Sequence, residues 1–279
     1  MGYRLAAAPL LPVLYIQGRR VRRTLPRLPE PPGARQGLRA DAPPADSPHP
    51  RREAPMRLLV LGDSAAAGVG AASQDEALLG RLVGELAPSG PVAWRLVART
   101  GATTAGTRRH LAAHPPAPGE TYDVAVVSLG LNDVIAGRPA AAVLADLSAI
   151  ADALERDWGV RHVVLTGLPP VDRFLAVPQP LRWYLGRRAR ALDAALGAWA
   201  AGRPRSALTC EVLRLDPTDA ALGAGGFAAA MAPDGFHPGP TLYAAWGRAA
   251  AARVRAWQDG RRAAAGATTE ECRAPHRGS

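Results

Sequence analysis

From residue 56 onward the hydrophobic positions alternate between two rhythms. Short unbroken apolar runs recur at 56–63 (MRLLVLGD), 92–100 (VAWRLVART), 122–130 (YDVAVVSLG), 160–167 (VRHVVLTG) and 208–216 (LTCEVLRLD). Between them lie stretches with helical spacing: DEALLGRLVGEL, a polar candidate near 103–113, a long one at about 139–157, GRRARALDAALGAWA, and the closing TLYAAWGRAAAARVRAW. In GRRARALDAALGAWA, Ala189, Leu192, Leu196 and Trp199 share one face. Continuous apolar strands alternating with amphipathic helices predict a parallel sheet covered on both sides. The expected fold class is therefore α/β, a three-layer α/β/α sandwich of about five parallel strands, spanning residues 56–258 as one domain.

The flanks read differently. Residues 26–55 are rich in Pro and charge and have no apolar period, which predicts an extended linker. Residues 259–279 read as a charged C-terminal tail. Residues 1–25 form a short apolar and basic arm, whose apolar run Leu5 to Ile16 contains Pro9 and Pro12. A bilayer span needs about 20 apolar residues, so twelve are too few. No small-residue cleavage site of the signal-peptide kind follows the run. Two readings of the arm stay open: packing on the domain's own surface, or peripheral membrane contact with Arg19, Arg20, Arg22 and Arg23 on anionic head groups. The expected location is cytoplasmic, with the inner face of a membrane as an alternative and secretion left open.

Composition changes this picture in two places. The chain has a net charge of +10, every cation being Arg, yet residues 1–55 hold ten Arg against four acids. The 56–258 region is nearly balanced, at twenty Arg against seventeen acids, which argues against nucleic acid as a partner. Cys210 and Cys272 are too few for a disulfide framework or a metal cluster. His110 and His114 lie four apart on a candidate helix, but no third ligand accompanies them, so they read as solvated helix residues.

Candidate chemistry gathers where the strands end. In open parallel sheets, ligands sit beyond the carboxyl ends of the strands. The first strand ends in GDS, placing Ser64 at a strand-to-helix turn, and the second ends in RTG, placing Gly101 in the turn. The third ends in GLND, with Asn132, the only asparagine in the chain, followed by Asp133. Before the last helix, DGFHP places Asp234 and His237 three residues apart. A serine hydroxyl becomes a useful nucleophile when a neutral histidine takes its proton, and a carboxylate on the other imidazole nitrogen fixes the tautomer. The backbone N–H of Ser64, that of Gly101 and the Asn132 amide are candidate donors to an oxyanion. Asp133, a charge beside such a hole, and Asp63, beside the nucleophile, both read as structural.

These four blocks, in this order, resemble the SGNH/GDSL hydrolase family. The resemblance covers about 56–258 and implies a flavodoxin-like sandwich with esterase, lipase or thioesterase activity. It implies Ser64, Asp234 and His237 as catalytic residues, with Ser64, Gly101 and Asn132 forming the oxyanion hole. The nucleophile is followed by small residues in LGDSAAAG, so the cleft floor there lacks side-chain donors. No metal or organic cofactor is expected.

The stretch LPPVDRFLAVPQPLRWYLG is the substrate clue, with Phe174, Leu175, Val177 and Trp183 as candidate lining of an apolar slot, or equally as loop packing. AALGAGGFAAAM is small enough to shape another wall. The expected substrate is a small or lipid-like carboxylic ester, of lysophospholipid or thioester type. The alternatives are a carbohydrate O-deacetylase with a shallow polar cleft, and a catalytically idle lipid-binding protein on the same fold.

Overall fold

The computed structural model describes residues 8–41, 54–203 and 208–273, the stretch 265–273 through its backbone alone. The first seven residues of the arm, residues 42–53 of the Pro-rich stretch and 274–279 of the tail lie outside the described residues. Six strands form one sheet: β1 (Gln36–Arg39), β2 (Met56–Gly62), β3 (Val92–Ala98), β4 (Val124–Ser128), β5 (His162–Thr166) and β6 (Thr209–Leu213), in the order β1-β3-β2-β4-β5-β6. Strands β2 to β6 run parallel to one another. The order reverses at β2, which has β3 on one side and β4 on the other, so the crevice of the sheet opens at the end of β2.

Nine helices are described: α1 (Leu11–Thr24), α2 (Ser64–Ala67), α3 (Leu78–Leu86), α4 (Thr104–Ala113), α5 (Leu131–Ile135), α6 (Ala140–Arg156), α7 (Leu181–Gly202), α8 (Gly226–Ala229) and α9 (Pro240–Arg273). Successive side chains of a strand point to opposite faces, and β2 divides its apolar residues accordingly. Leu58 and Val60 join Leu78, Leu82 and Leu86 of α3 and Tyr243, Ala250 and Val254 of α9 on one side. Leu59 and Leu61 join Leu147, Ile150 and Leu154 of α6 and Leu192 and Leu196 of α7 on the other. Burial on both faces is why the central strands read as unbroken apolar runs. Trp199, on the predicted face of α7, is half-buried and donates from Nε1 to Ser148 Oγ at 2.9 Å.

The flanks depart from expectation in two ways. Residues 36–39, inside the stretch read as a linker, form a sixth strand antiparallel to β3. All four are exposed, so the strand rests on backbone pairing and carries no periodic apolar signal. Nearby, Glu30 Oε1 accepts from Thr100 N and Oγ1 at 2.9 and 2.7 Å, and Pro32 O accepts from Gln74 N at 2.9 Å. The closing helix also runs on through Arg273, because the charged sequence after 258 is rich in alanine, the strongest helix former.

The arm follows one of its two open readings, packing on the domain's own surface. Helix α1 packs on the domain through Leu14, which is 5% exposed and joins Val171, Phe174, Val177 and Leu181 in a third core cluster. Gln17 fixes the docking at both ends of its amide. Its Nε2 donates to Gln179 O at 2.7 Å and its Oε1 accepts from Leu181 N, the first residue of α7, at 3.1 Å. No helix among the described residues is long and apolar enough to cross a membrane.

Candidate active site

Strand β2 delivers Ser64 to the switch point of the sheet. Gly62 makes the turn physically feasible, since a Cβ there would collide with the Ser128 carbonyl oxygen and with Ala66. Asp63 then caps α2, its Oδ1 accepting from Ala65 N at 3.1 Å, while its own N–H donates to Ser128 O at 3.1 Å. The carboxyl is buried, and loss of water pushes its pKa up to about 7 against the pull of the Ala65 N–H and of His237. Asp63 thus braces the turn that carries the serine, as expected from its position.

His237 comes to Ser64 from the other end of the chain. Its Nε2 lies 3.1 Å from Ser64 Oγ, and its Nδ1 lies 2.6 Å from Asp234 Oδ2. The other carboxylate oxygen of Asp234 accepts from the backbone N–H groups of Phe236 and His237, both at 2.9 Å. Burial favours the neutral acid, but the His237 side chain and these two N–H groups outweigh it and hold Asp234 below the usual carboxylate range. Two further bonds fix the loop: Ala232 N donates to His237 O at 2.8 Å and Gly239 N to Ala230 O at 2.9 Å.

The GLND turn sits across the cleft. Asn132 Nδ2 donates to Ala102 O at 2.9 Å and lies 3.5 Å from Asp63 Oδ2. Asp133 is fully buried; its Oδ2 accepts from Thr104 N and Oγ1 at 2.9 and 2.8 Å, and its Oδ1 pairs with Arg138 at 2.6 Å. Both residues therefore grip the start of α4, just past Gly101. Gly101 has φ +77° with open space where a Cβ would be. Among the described residues no acceptor pairs with the N–H of Gly101 or of Ser64. Gly101 is absent from the cavity wall itself.

A cavity of about 370 Å³ opens from Ser64, Asn132 and His237 and runs between the carboxyl edge of the sheet and α7. Leu168, Phe174, Leu213, Phe227, Met231 and Leu242 supply much of its apolar wall. Four of the charged groups on it are paired, Arg190 with Asp172 at 2.7 Å and Arg214 with Asp193 at 2.6 Å, and Arg173 also lies on the wall. Of the four residues read as slot lining, Phe174 alone faces this cavity. Leu175 points to solvent at 73% exposure, while Val177 and Trp183 pack in the cluster beneath α1. The helix covers that side of the loop, so apolar side chains there seal a wall rather than line one. Phe227 and Met231 belong to GFAAAM, the segment read as another wall, and Leu168 opens the stretch read as the substrate clue without being singled out in it, whereas Leu213 and Leu242 gave no signal beyond core hydrophobicity.

His110 and His114 stack on each other with ring centroids 4.3 Å apart, and among the described residues no cluster of three metal-binding side chains occurs. Burial pushes the Cys210 thiol up to about 11, far from a reactive thiolate.

Comparison with known proteins matches residues 60–245 to the GDSL-like lipase/acylhydrolase family. The chain belongs to that family. It is a serine hydrolase acting on ester bonds. No curated protein sequence matches the chain. Among solved structures, this GDSL hydrolase is similar to a member of the lipolytic G-D-S-L family from Veillonella parvula (16% identity, 70% of this chain and 96% of that one, TM-score 0.53). It is also similar to TesA (25% identity, 70% and 95%, TM-score 0.51) and to a carbohydrate esterase family 3 protein from Talaromyces cellulolyticus (14%, 72% and 97%, TM-score 0.52). These likenesses show the fold alone, and the fold leaves the choice of ester to the cavity.

Proposed function

We propose that this GDSL hydrolase cleaves carboxylic esters of extended acyl chains by a two-step serine mechanism. Ser64 Oγ attacks the acyl carbonyl while His237 Nε2 takes its proton, and Asp234 holds the opposite imidazole nitrogen and stabilises the imidazolium. Charge developing on the carbonyl oxygen is met by the N–H groups of Ser64 and Gly101 and by the second hydrogen of Asn132 Nδ2. His237 then protonates the departing alcohol (or thiol), and water attacks the acyl-enzyme along the same path to release the acid.

The observation that carries the acyl-chain reading is the volume and lining of the cavity. It leads inward from Ser64 past Leu168, Phe174, Phe227 and Leu242, residues that are buried or nearly so. An acetyl group needs none of that volume, whereas an alkyl chain buries about 0.8 kcal/mol per methylene in such a slot. A panel of p-nitrophenyl esters tests the reading. kcat/KM is expected to rise from acetate to medium-length chains; a steep fall beyond acetate would replace it with a carbohydrate O-deacetylase.

A further inference from the structure

Six large hydrophobic side chains are exposed among the described residues, and four of them, Leu11, Val13, Tyr15 and Ile16, lie on the first half of α1. A fifth, Leu175, lies on the loop that α1 covers. The other half of the helix carries Arg19, Arg20, Arg22 and Arg23, all exposed. No acid occurs before Glu30, and among the described residues none of these four arginines has a carboxylate partner. Arg19 instead donates from Nη1 to the Tyr15 hydroxyl oxygen at 3.1 Å and lies over the Tyr15 ring. The helix is therefore docked by one face through Leu14 and Gln17, and its outer side is graded along the axis from apolar to strongly basic.

We propose that this outer side of α1, with Leu175, is a docking surface for an anionic lipid bilayer. The apolar first turns enter the interfacial region, and the arginines of the last turns stay at the phosphate level, their stems lying along the apolar boundary. Charge decides for this occupant: four guanidinium groups with no carboxylate partner among the described residues, beside exposed aliphatic side chains, complement a negatively charged, apolar-cored surface. A protein partner of the same shape would need a compensating acidic rim. Helix α1 shares its core cluster with the cavity residues Phe174, Ala189, Phe227 and Leu242, so docking holds the acyl-binding cavity next to the lipid. The surface itself stands on residues outside the cleft, so it and the acyl-chain reading fail separately.

Co-sedimentation of the full chain with vesicles tests the proposal. The protein is expected to pellet with phosphatidylcholine vesicles containing phosphatidylglycerol, to pellet much less with phosphatidylcholine alone, and to be released by salt. The double substitution Arg20→Gln/Arg23→Gln should weaken binding roughly thirtyfold, from about 1 kcal/mol per arginine. Leu11→Ser/Ile16→Ser should weaken it as well. Both variants should hydrolyse a soluble p-nitrophenyl ester at the wild-type rate, which shows that the fold and the cleft are intact. Absence of binding by the wild type, or equal binding by active variants, would overturn the proposal. So would a dimer seen in sedimentation velocity that Leu11→Ser/Ile16→Ser dissolves, since a second copy would then be the occupant.

Discussion

Asp133 and Thr104, twenty-nine residues apart, are joined twice: one carboxylate oxygen accepts both the backbone N–H and the hydroxyl of the threonine. Thr104 opens α4 and Asp133 lies in the first turn of α5. The pair locks the loop carrying Gly101 to the turn carrying Asn132, so two candidate oxyanion donors move as one unit. A site of this kind gains from donors that need no reorganisation during the reaction.

Breaking that clamp should act through stability before chemistry. Asp133→Ala leaves Thr104 N–H and one arm of Arg138 without an acceptor inside the protein. The expected loss is ~2–3 kcal/mol in urea unfolding. Asp133→Asn keeps an oxygen for Thr104 and should lose less. Equal stability of Asp133→Ala and wild type would show that the clamp carries no weight.

Removing the nucleophile or its base gives the largest kinetic effect. Ser64→Ala and His237→Ala should each lower kcat by about 10⁴-fold or more. Ser64→Ala should also abolish labelling by a fluorophosphonate. A wild-type protein that takes no label would point to a ligand-binding role for the cleft.

Asn132→Ala should lower kcat by ~10²–10³ with KM nearly unchanged, because the amide is asked to act on the oxyanion and not on the bound ester. A rise in KM at constant kcat would instead make Asn132 a substrate-binding group. Fold integrity is checked separately by thermal unfolding, since the variant also loses the bond to Ala102.

The two buried acids of the site predict opposite pH effects. Asp63 binds its proton more tightly when folded, with a pKa near 7 against an ordinary 3.8. The folded state then holds more protons than the unfolded one between those values, so stability falls as pH rises from about 4 to 7. Asp63→Asn, which preserves the cap, should flatten that decline and raise the unfolding midpoint at pH values above it. Asp234 has the reverse sign: its depressed pKa gives stability that is present above the ordinary carboxylate range and is lost on acidification. Unfolding midpoints of the wild type and Asp63→Asn across this range are the measurement; identical pH profiles would contradict the Asp63 assignment.

The cavity wall offers a test of chain length. Met231 is half-buried on that wall, and Met231→Trp should shorten the slot. Activity on acetate should survive while activity on the longest accepted chain falls at least tenfold, an effect of losing about two to three methylenes of burial. Parallel loss on all chain lengths would mean that Met231 does not border the acyl site.

The strand-end chemistry was legible because it is local. Each of GDS, GLND and DGFHP lies within a few residues of the element that aims it, and burial on both sheet faces writes the strands as apolar runs. Asp63 and Asp133 were readable as scaffold, since a charge beside a developing oxyanion works against the reaction. The sheet edge was not legible, because Gln36–Arg39 holds on through backbone groups that every sequence possesses. Nor was the direction of Leu175, Val177 and Trp183, which depends on a helix docked from the far end of the chain. Leu213 and Leu242 look like any core residue until the space beside them is seen.

The bond between Gln17 and Leu181 spans 164 residues. In the chain α1 precedes every element of its berth, which exists only once the sheet and α7 have been made. Until then Leu14 is as uncovered as Leu11 and Ile16, and the chain offers every side of an amphipathic, arginine-ended helix to its surroundings. Housing α1 thus depends on parts of this hydrolase that lie far along the chain, and its docking reports that those parts have folded.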